Sequence, residues 1–404
     1  MGLPRAVRVL LLARVVNRLG AFSVPFLAAL LTTDFHTGLA SAGLVTAAFG
    51  LASIPSRLIG GRLADSLGAR RTVVLGLTGC SLAQLGLAAA RSLPAAALAA
   101  VVLGLAFELY EPPSQALLAD LAGPAGKVRA FSLFNAALAL GGIGAGLLAA
   151  LLGRWDLRWL FVADAVSCLL CAALVRFAVP ADRRADHPDG PPAAAASPWR
   201  DRRLLVMLAL GTGYALLCMQ TLTMLPLSLA ARGLHTADAG LIFTVSAVTV
   251  ICAQPLLRLR RVAELPAHTA LLAGHLLLAA GLLGYAAAHG LPAAAAATVP
   301  CGLGELLVMG RAYALVADLA PPAATGRYLA VFGTCWGFAG VAAPLLGTQV
   351  LARTGPGPLW SAMAALALAL AAAQLLTPRP PLARAPANGP AVAGAGRTAG
   401  EPAG

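Results

Sequence analysis

The 404-residue sequence predicts an all-helical membrane protein with twelve transmembrane helices in two pseudo-symmetric six-helix bundles. Three observations predict it. Hydrophobic residues make up 59% of the chain and charged residues 11%, with a mean hydropathy of +0.82. A soluble domain has roughly a quarter of its residues charged; this chain has too little polar surface to cover a core, so lipid must solvate most of it. Apolar runs of spanning length then recur along the chain, and one of them returns as a near copy in its second half.

Each span follows from length. About 20 apolar residues cross the ~30 Å hydrocarbon layer as a helix. The runs are too long for the roughly ten-residue alternating strands of a membrane barrel. Spans are expected at 8–31, 39–60, 72–90, 94–115, 130–152 and 158–179, then at 204–229, 238–257, 267–288, 291–315, 328–352 and 358–376. Residues 1–180 are thus expected to form one bundle and 204–377 the other. Between them, 181–203 is charged and rich in Pro and Ala and reads as a mobile linker; 378–404 reads as a disordered tail. No cleavable signal peptide is evident, because the first apolar run continues past Leu30 without a small-residue cleavage site.

The formal charge of +13 raises the question of nucleic acid until the basic residues are placed. Nineteen of them fall on the side that holds the termini and the even-to-odd loops. Five fall opposite: Arg91, Arg154, Arg158, Arg232 and Arg353. By the positive-inside rule the crowded side, with both termini and the linker, is cytoplasmic. The charge is a topology signal, and no nucleic-acid partner is expected. All seven cysteines lie inside apolar runs and read as small hydrophobes, Cys168 and Cys171 included.

The halves repeat each other. Ala-Leu-Leu-Ala-Asp-Leu-Ala at 116–122 returns as Ala-Leu-Val-Ala-Asp-Leu-Ala at 314–320, an offset of 198 residues. At that offset Gly104-Leu105 matches Gly302-Leu303, Pro124 matches Pro322 and Arg129 matches Arg327. Glu108 and Glu305 precede the two copies, one residue out of register. Parallel repeats of this kind are expected of a two-bundle transporter.

Between spans 2 and 3 stands Gly61-Arg-Leu-Ala-Asp65-Ser-Leu-Gly68-Ala-Arg70-Arg71. This resembles the signature loop of the major facilitator superfamily, with Ser66 and Ala69 departing from its two basic positions. Gly61 and Gly68 suit a short turn, and Asp65 suits a helix N-terminus. Asn17-Arg18-Leu19-Gly20, Glu108-Leu-Tyr-Glu-Pro112-Pro113, Thr223-Met-Leu-Pro226-Leu and Gly304-Glu305 are similar to bacterial drug:proton antiporters of that superfamily. Asn135–Gly146 resembles the antiporter signature in weakened form: Gly141 and Gly146 are kept, while Ala137, Gly142 and Ala145 replace Gly, Pro and Gly. Gly340, Pro344 and Gly347 echo it in span 11. Small residues so spaced also serve plain helix packing. The resemblance implies the major facilitator fold and a multi-pass protein of the bacterial inner membrane. It also implies alternating access, with proton-coupled efflux of drugs or amphipathic small molecules and multidrug resistance as the expected role.

Ionisable residues at bilayer depth are costly and usually face a cavity or a partner. The resemblance implies that spans 1, 4, 7 and 10 line the central cavity, and most such residues fall there. Glu108 lies fourteen residues past Pro94 and Glu305 fourteen past Leu291, each about 21 Å into the layer. Glu108 and Glu111 share a helix face, and Pro112-Pro113 should kink the helix just beyond them. Carboxyl groups in a low-dielectric cavity can load and release protons. Glu108, Glu111 and Glu305 are therefore the expected proton-coupling or substrate-binding groups, with Arg18 and Arg311 as counter-charges; the alternative is a structural ion pair. Arg14 and Arg57 are expected to snorkel to the interface, and Asp164 and His275 to hydrogen-bond between helices. The resemblance makes Gly61, Asp65, Gly68, Arg70, Arg71, Asp120 and Arg129 a cytoplasmic gate, with Asp318 and Arg327 as its echo.

No HExxH, GxSxG or phosphate-cradling loop is present, so neither an enzyme nor a cofactor or metal is expected. Partners are the lipid bilayer, a small-molecule substrate and protons. Metabolite uptake, facilitated diffusion and a non-transporting scaffold or sensor are the alternatives.

Overall fold

The computed structural model describes residues 4–21, 24–180, 198–321 and 325–376. Most of the expected linker and the whole expected tail lie outside the described residues. Among the described residues the regular structure is helical throughout. α1 (Arg5–Gly20) and α2 (Leu27–Asp34), joined through a 3-10 turn at Val24–Phe26, make the first span. α3 (Leu39–Leu67), α4 (Ala69–Ala89), α5 (Leu93–Phe107), α6 (Glu111–Leu152) and α7 (Arg158–Ala178) complete the first half. The second half holds α8 (Arg202–Ala231), α9 (Ala239–Ala253), α10 (Arg260–Ala263), α11 (Ala267–Ala287), α12 (Leu291–Leu319), α13 (Thr325–Thr354) and α14 (Pro356–Leu376).

Eleven segments among the described residues are long and apolar enough to cross a membrane, and Ala136–Leu152 is a shorter apolar helix. Leu44, Leu82 and Leu98 are more than 60% exposed on their outer faces, where hydrocarbon would cover them.

One region departs from expectation. The loop expected between 115 and 130 is absent, and the backbone of α6 is helical from Glu111 to Leu152. The chain breaks at Glu108–Tyr110, between the two glutamates and not just beyond them where the kink was expected. Pro112 and Pro113 have no N–H to donate to the carbonyls of Glu108 and Leu109, four residues back. In the first turn of a new helix those N–H groups would be unpaired anyway, and both prolines sit there. The Ala- and Leu-rich sequence that follows favours helix on either side of residue 123.

The two halves pack alike. α1 lies against α6 and α7 as α8 lies against α13 and α14. α4 lies against α5 and α7 as α11 lies against α12 and α14, and α3 meets α5 as α9 meets α12. The halves join along two seams, α3 with α13 and α6 with α9. Glycine makes both possible. A Cβ on Gly50 would lie 2.6 Å from the Gly340 carbonyl oxygen, and one on Gly240 would lie 2.6 Å from the Ala150 nitrogen. Backbones this close admit no side chain between them.

Candidate functional site

The break at Glu108–Tyr110 places two carboxylates beside α1 and α3. Glu111 opens α6, where unpaired N–H groups and the helix dipole favour negative charge. Arg14 of α1 reaches it with Nη2 at 2.6 Å from Oε2 and 2.9 Å from Oε1. The Arg14 guanidinium also lies 5.1 Å from the Phe134 ring centroid and 6.0 Å from that of Tyr110. Asn17 Oδ1 accepts from the Tyr110 hydroxyl at 3.3 Å and from Arg14 Nη1 at 3.4 Å. Gln115 Nε2 adds a donor to Glu111 at 3.1 Å.

Glu108 is held differently. Its N–H donates to Ser56 Oγ at 3.2 Å, and Arg57 Nε stands 3.3 Å from its Oε2. That oxygen is buried and accepts no hydrogen bond. Arg57 lies on the α3–α13 seam, with Nη1 3.8 Å from where a Cβ on Gly333 would stand. The pair therefore faces both halves.

In the second half Glu305 neighbours the Cys218 thiol. The Tyr214 hydroxyl donates to the Glu305 backbone carbonyl at 3.5 Å. The Tyr214 ring meets Trp336 and His275 edge-on, each at 6.2 Å. Trp336 Nε1 donates to the Tyr313 hydroxyl at 3.2 Å. Of the first-half charges, Arg57 lies near this cluster, within electrostatic reach of Tyr313.

Several expectations change. The ion pairs of Glu108 and Glu111 are made by Arg57 and Arg14, the two arginines expected to snorkel. Arg18, expected as a counter-charge, lays its stem against the Gly141 position of α6 and lies within electrostatic reach of Glu111 and Asp164. Arg311 points away from Glu305: Nη1 and Nη2 donate to the carbonyls of Leu265 and Val262 at 2.7 and 2.6 Å. Both carbonyls lie at or just past the C-terminal end of α10, where a nearby cation is favoured. His275 Nδ1 bonds the Leu271 carbonyl of its own helix at 2.7 Å, not a neighbour. Asp164 does link helices, through Gln84 of α4.

In the signature loop Gly68 joins α3 to α4 at φ 92°, a left-handed conformation that penalises any Cβ. Arg70 Nη2 donates to the Arg176 carbonyl at 2.9 Å, tying the loop to the last turn of α7. Around Gly61 there is open space, and Arg71 is exposed. The side chains of Asp65, Asp120 and Arg129 lie outside the described residues.

Sequence reasoning missed the opposite end. Arg154 Nη2 of the first half lies 2.7 Å from Asp238 Oδ1 of the second. Arg158 pairs with Asp34 at 2.6 Å and donates to the carbonyls of Ala88 and Ala90 at 2.7 Å. The available signal was the presence of Asp34 and Asp238 in short polar loops on the same side as Arg154 and Arg158.

A cavity of about 20 Å³ lies among Arg14, Asn17, Tyr110, Ser114 and Cys171. It has room for one water and is far below the roughly 300 Å³ of a drug-sized pocket. Among the described residues no group of three or more His, Cys, Asp or Glu side chains is arranged to hold a metal ion.

Comparison with known proteins places this geometry. The Major Facilitator Superfamily matches residues 10–261 and 208–399. The uncharacterized MFS-type transporter YhjO of Bacillus subtilis is 24% identical over 347 residues, covering 85% of this chain and 86% of its own. The multidrug resistance protein MdtH of Aeromonas hydrophila is 28% identical over 294 residues, covering 72% and 74%. Among solved structures, the nucleoside transporter NupG superposes with a TM-score of 0.77 at 14% identity, over 91% of this chain and 99% of its own. A peptide transporter, POT, gives 0.76 at 15% identity over 92% and 94%. Two halves whose helices pack alike and a family match along nearly the whole chain lead to one conclusion: the chain belongs to the Major Facilitator Superfamily, a family of membrane transporters.

Proposed function

We propose that the protein is a proton-coupled exporter of amphipathic small molecules, working by alternating access in the bacterial inner membrane with both termini cytoplasmic. The observation that carries this reading is the buried Oε2 of Glu108, which accepts no hydrogen bond and stands 3.3 Å from Arg57 on the seam between the halves. A proton arriving on that oxygen neutralises the carboxylate and removes its hold on Arg57. The guanidinium is then free to change partners across α3 and α13. In the other direction, rearrangement of the seam draws Arg57 back and expels the proton. One charge thus biases a two-state packing, which is what coupling requires.

The substrate class follows from what surrounds the carboxylates. Tyr110 and Phe134 lie about the Arg14–Glu111 pair in one half, and Tyr214, which bonds the Glu305 carbonyl, clusters with Trp336 and Tyr313 in the other. Carboxylate plus ring faces suits a substrate that is apolar and carries positive charge. The similarity to proteins named for multidrug resistance supports export over uptake. The loop Gly61–Arg71 with Asp120 and Arg129 serves as the cytoplasmic gate in this reading, its Arg70 tether to α7 being the part with a described contact.

The test is proton movement in everted vesicles on addition of lipophilic cations. Wild type should show substrate-dependent collapse of the pH gradient. Glu108→Gln and Glu305→Gln should lose it while keeping expression and fold. If well-folded wild type moves no protons with any cation, coupled export falls, and uptake, facilitated diffusion or a non-transport role takes its place.

A further inference from the structure

Asp164 sits in α7, which contributes none of the candidate site's ion pairs, and is 3% exposed. Its Oδ2 accepts from Gln84 Nε2 of α4. Its Oδ1 lies 3.4 Å from Ser167 Oγ and 3.7 Å from Cys168 Sγ, both on its own helix. Gln84 is itself 2% exposed, and its other amide atom, Oε1, accepts no hydrogen bond. A carboxylate can only accept; it leaves that amide oxygen without a donor. A carboxylic acid both gives and takes a hydrogen bond, as a primary amide does, so the neutral acid complements Gln84 on both of its atoms.

Packing does not require an acid here. The equivalent seam in the second half, α11 against α14, carries no carboxylate on either helix. It closes on Leu278, Leu282, Trp360, Ala364 and Ala367.

A bridge joins Asp164 to the candidate site. Asn17 Oδ1 accepts from Arg14 and Tyr110, and its Nδ2 donates to Cys168 Sγ at 3.5 Å. The Cys168 thiol points on to Asp164. Every donor along this line is directed from the Arg14–Glu111 pair toward Asp164. The titratable groups around it are Arg18 on α1, Cys80 on α4 and Cys168 on α7. Arg18 attracts the ionised form and the orphaned Gln84 oxygen attracts the acid. Opposed demands of this kind make a proton exchangeable.

We propose that Asp164 is a second proton-binding carboxyl, held as an acid against Gln84 and coupled to Arg14–Glu111 through Cys168 and Asn17. It stands apart from the Glu108 switch and rests on the transport reading only for its use, not for its chemistry. When the proton leaves to water, the Asp164 O–H bond breaks, the carboxylate keeps the electron pair, and Gln84 retains only its Nε2 contact. The bridge then presents a second negative charge to the region of Arg14.

The test is infrared difference spectroscopy of the full chain in liposomes, titrated from acid to alkaline buffer without substrate. A protonated-carboxyl carbonyl band should disappear on titration in wild type. It should be missing in Asp164→Asn and present in Glu108→Gln and Glu305→Gln. Should Asp164→Asn fail to fold, aspartate labelled with carbon-13 at the carboxyl replaces it, and Gln84→Leu should then displace the labelled band. Asn17→Ala should move the pH at which the band titrates. An Asp164→Asn spectrum that superimposes on wild type, or a labelled band unmoved by Gln84→Leu, overturns the proton site. An unchanged titration in Asn17→Ala overturns the coupling. A band of the expected kind in a protein that moves no protons with any cation leaves this site standing while the export reading falls.

Discussion

Arg154 and Asp238, 84 residues apart and on opposite halves, form an ion pair of 2.7 Å beside the Gly146–Gly240 contact of α6 and α9. Asp238 is nearly buried while Arg154 is half exposed. The pair clamps the α6–α9 seam at the end away from the basic loops.

Removing either charge should weaken that end by about 1 kcal/mol or less, because solvent screens the arginine. Arg154→Ala or Asp238→Ala should change the transport rate without affecting expression. The reversed pair Arg154→Asp with Asp238→Arg should restore it. Vesicle transport assays on the three variants check this; no recovery in the reversed pair means the contact is incidental.

Arg14→Ala should be the costliest single change, at about 3 kcal/mol. It strands Glu111 at a partly buried position, and a broken buried pair costs more than the pair contributes. Adding Glu111→Gln should return much of the loss. Thermal unfolding in detergent, followed by the exposure of buried Cys80 and Cys301 to a thiol reagent, measures both.

Two glycines of the sequence should part company under substitution. Gly50→Val drives a side chain into the Gly340 carbonyl and should cost about 1–3 kcal/mol or force the seam apart. Gly61→Ala meets nothing within 4 Å and, because Gly61 lies within α3 and not in a turn, should raise stability by about 0.5–1 kcal/mol. The same unfolding assay compares them.

Gly68→Ala tests the loop backbone. At φ 92° a Cβ costs roughly 1–2 kcal/mol. The change should lower the unfolding temperature by a few degrees, with Ser66→Ala as a control that removes only a local hydroxyl contact to Leu63. Equal unfolding temperatures for Gly68→Ala and wild type would show that the loop relaxes around the strain.

Arg311→Leu should loosen the junction of α10 with α12, since it withdraws two donors from the Val262 and Leu265 carbonyls. If Arg311 instead served Glu305, Glu305→Gln would restore the stability of the variant. Rescue of thermal stability is the outcome that contradicts the geometry.

The spans were legible to within a few residues where hydropathy and helix end together. Residues 158–179 and 267–288 were expected, and the helices are Arg158–Ala178 and Ala267–Ala287. They were least legible where a helix runs on through polar sequence, as α3 does to Leu67 and α6 does across the expected loop. Hydropathy reports where lipid solvates the chain, whereas a helix needs only its own hydrogen bonds to continue. Glu108, Glu111 and Glu305 stood out because a charge in an apolar run is expensive. Their partners did not, because Arg14, Arg18 and Arg57 are equally plausible until the break at Glu108–Tyr110 sets the register.

The amino-acid sequence by itself determined the solvent, the helical class, the approximate crossings and the internal duplication. These are sums of local transfer energies over tens of residues, so no single contact can overturn them. Tertiary structure alone decided that Arg57 faces Glu108, that Arg14 holds Glu111, that Arg154 meets Asp238 and that Gln84 meets Asp164. Ion pairs and hydrogen bonds act over a few ångströms, and which groups come that close depends on helix register and on backbones brought together by glycine.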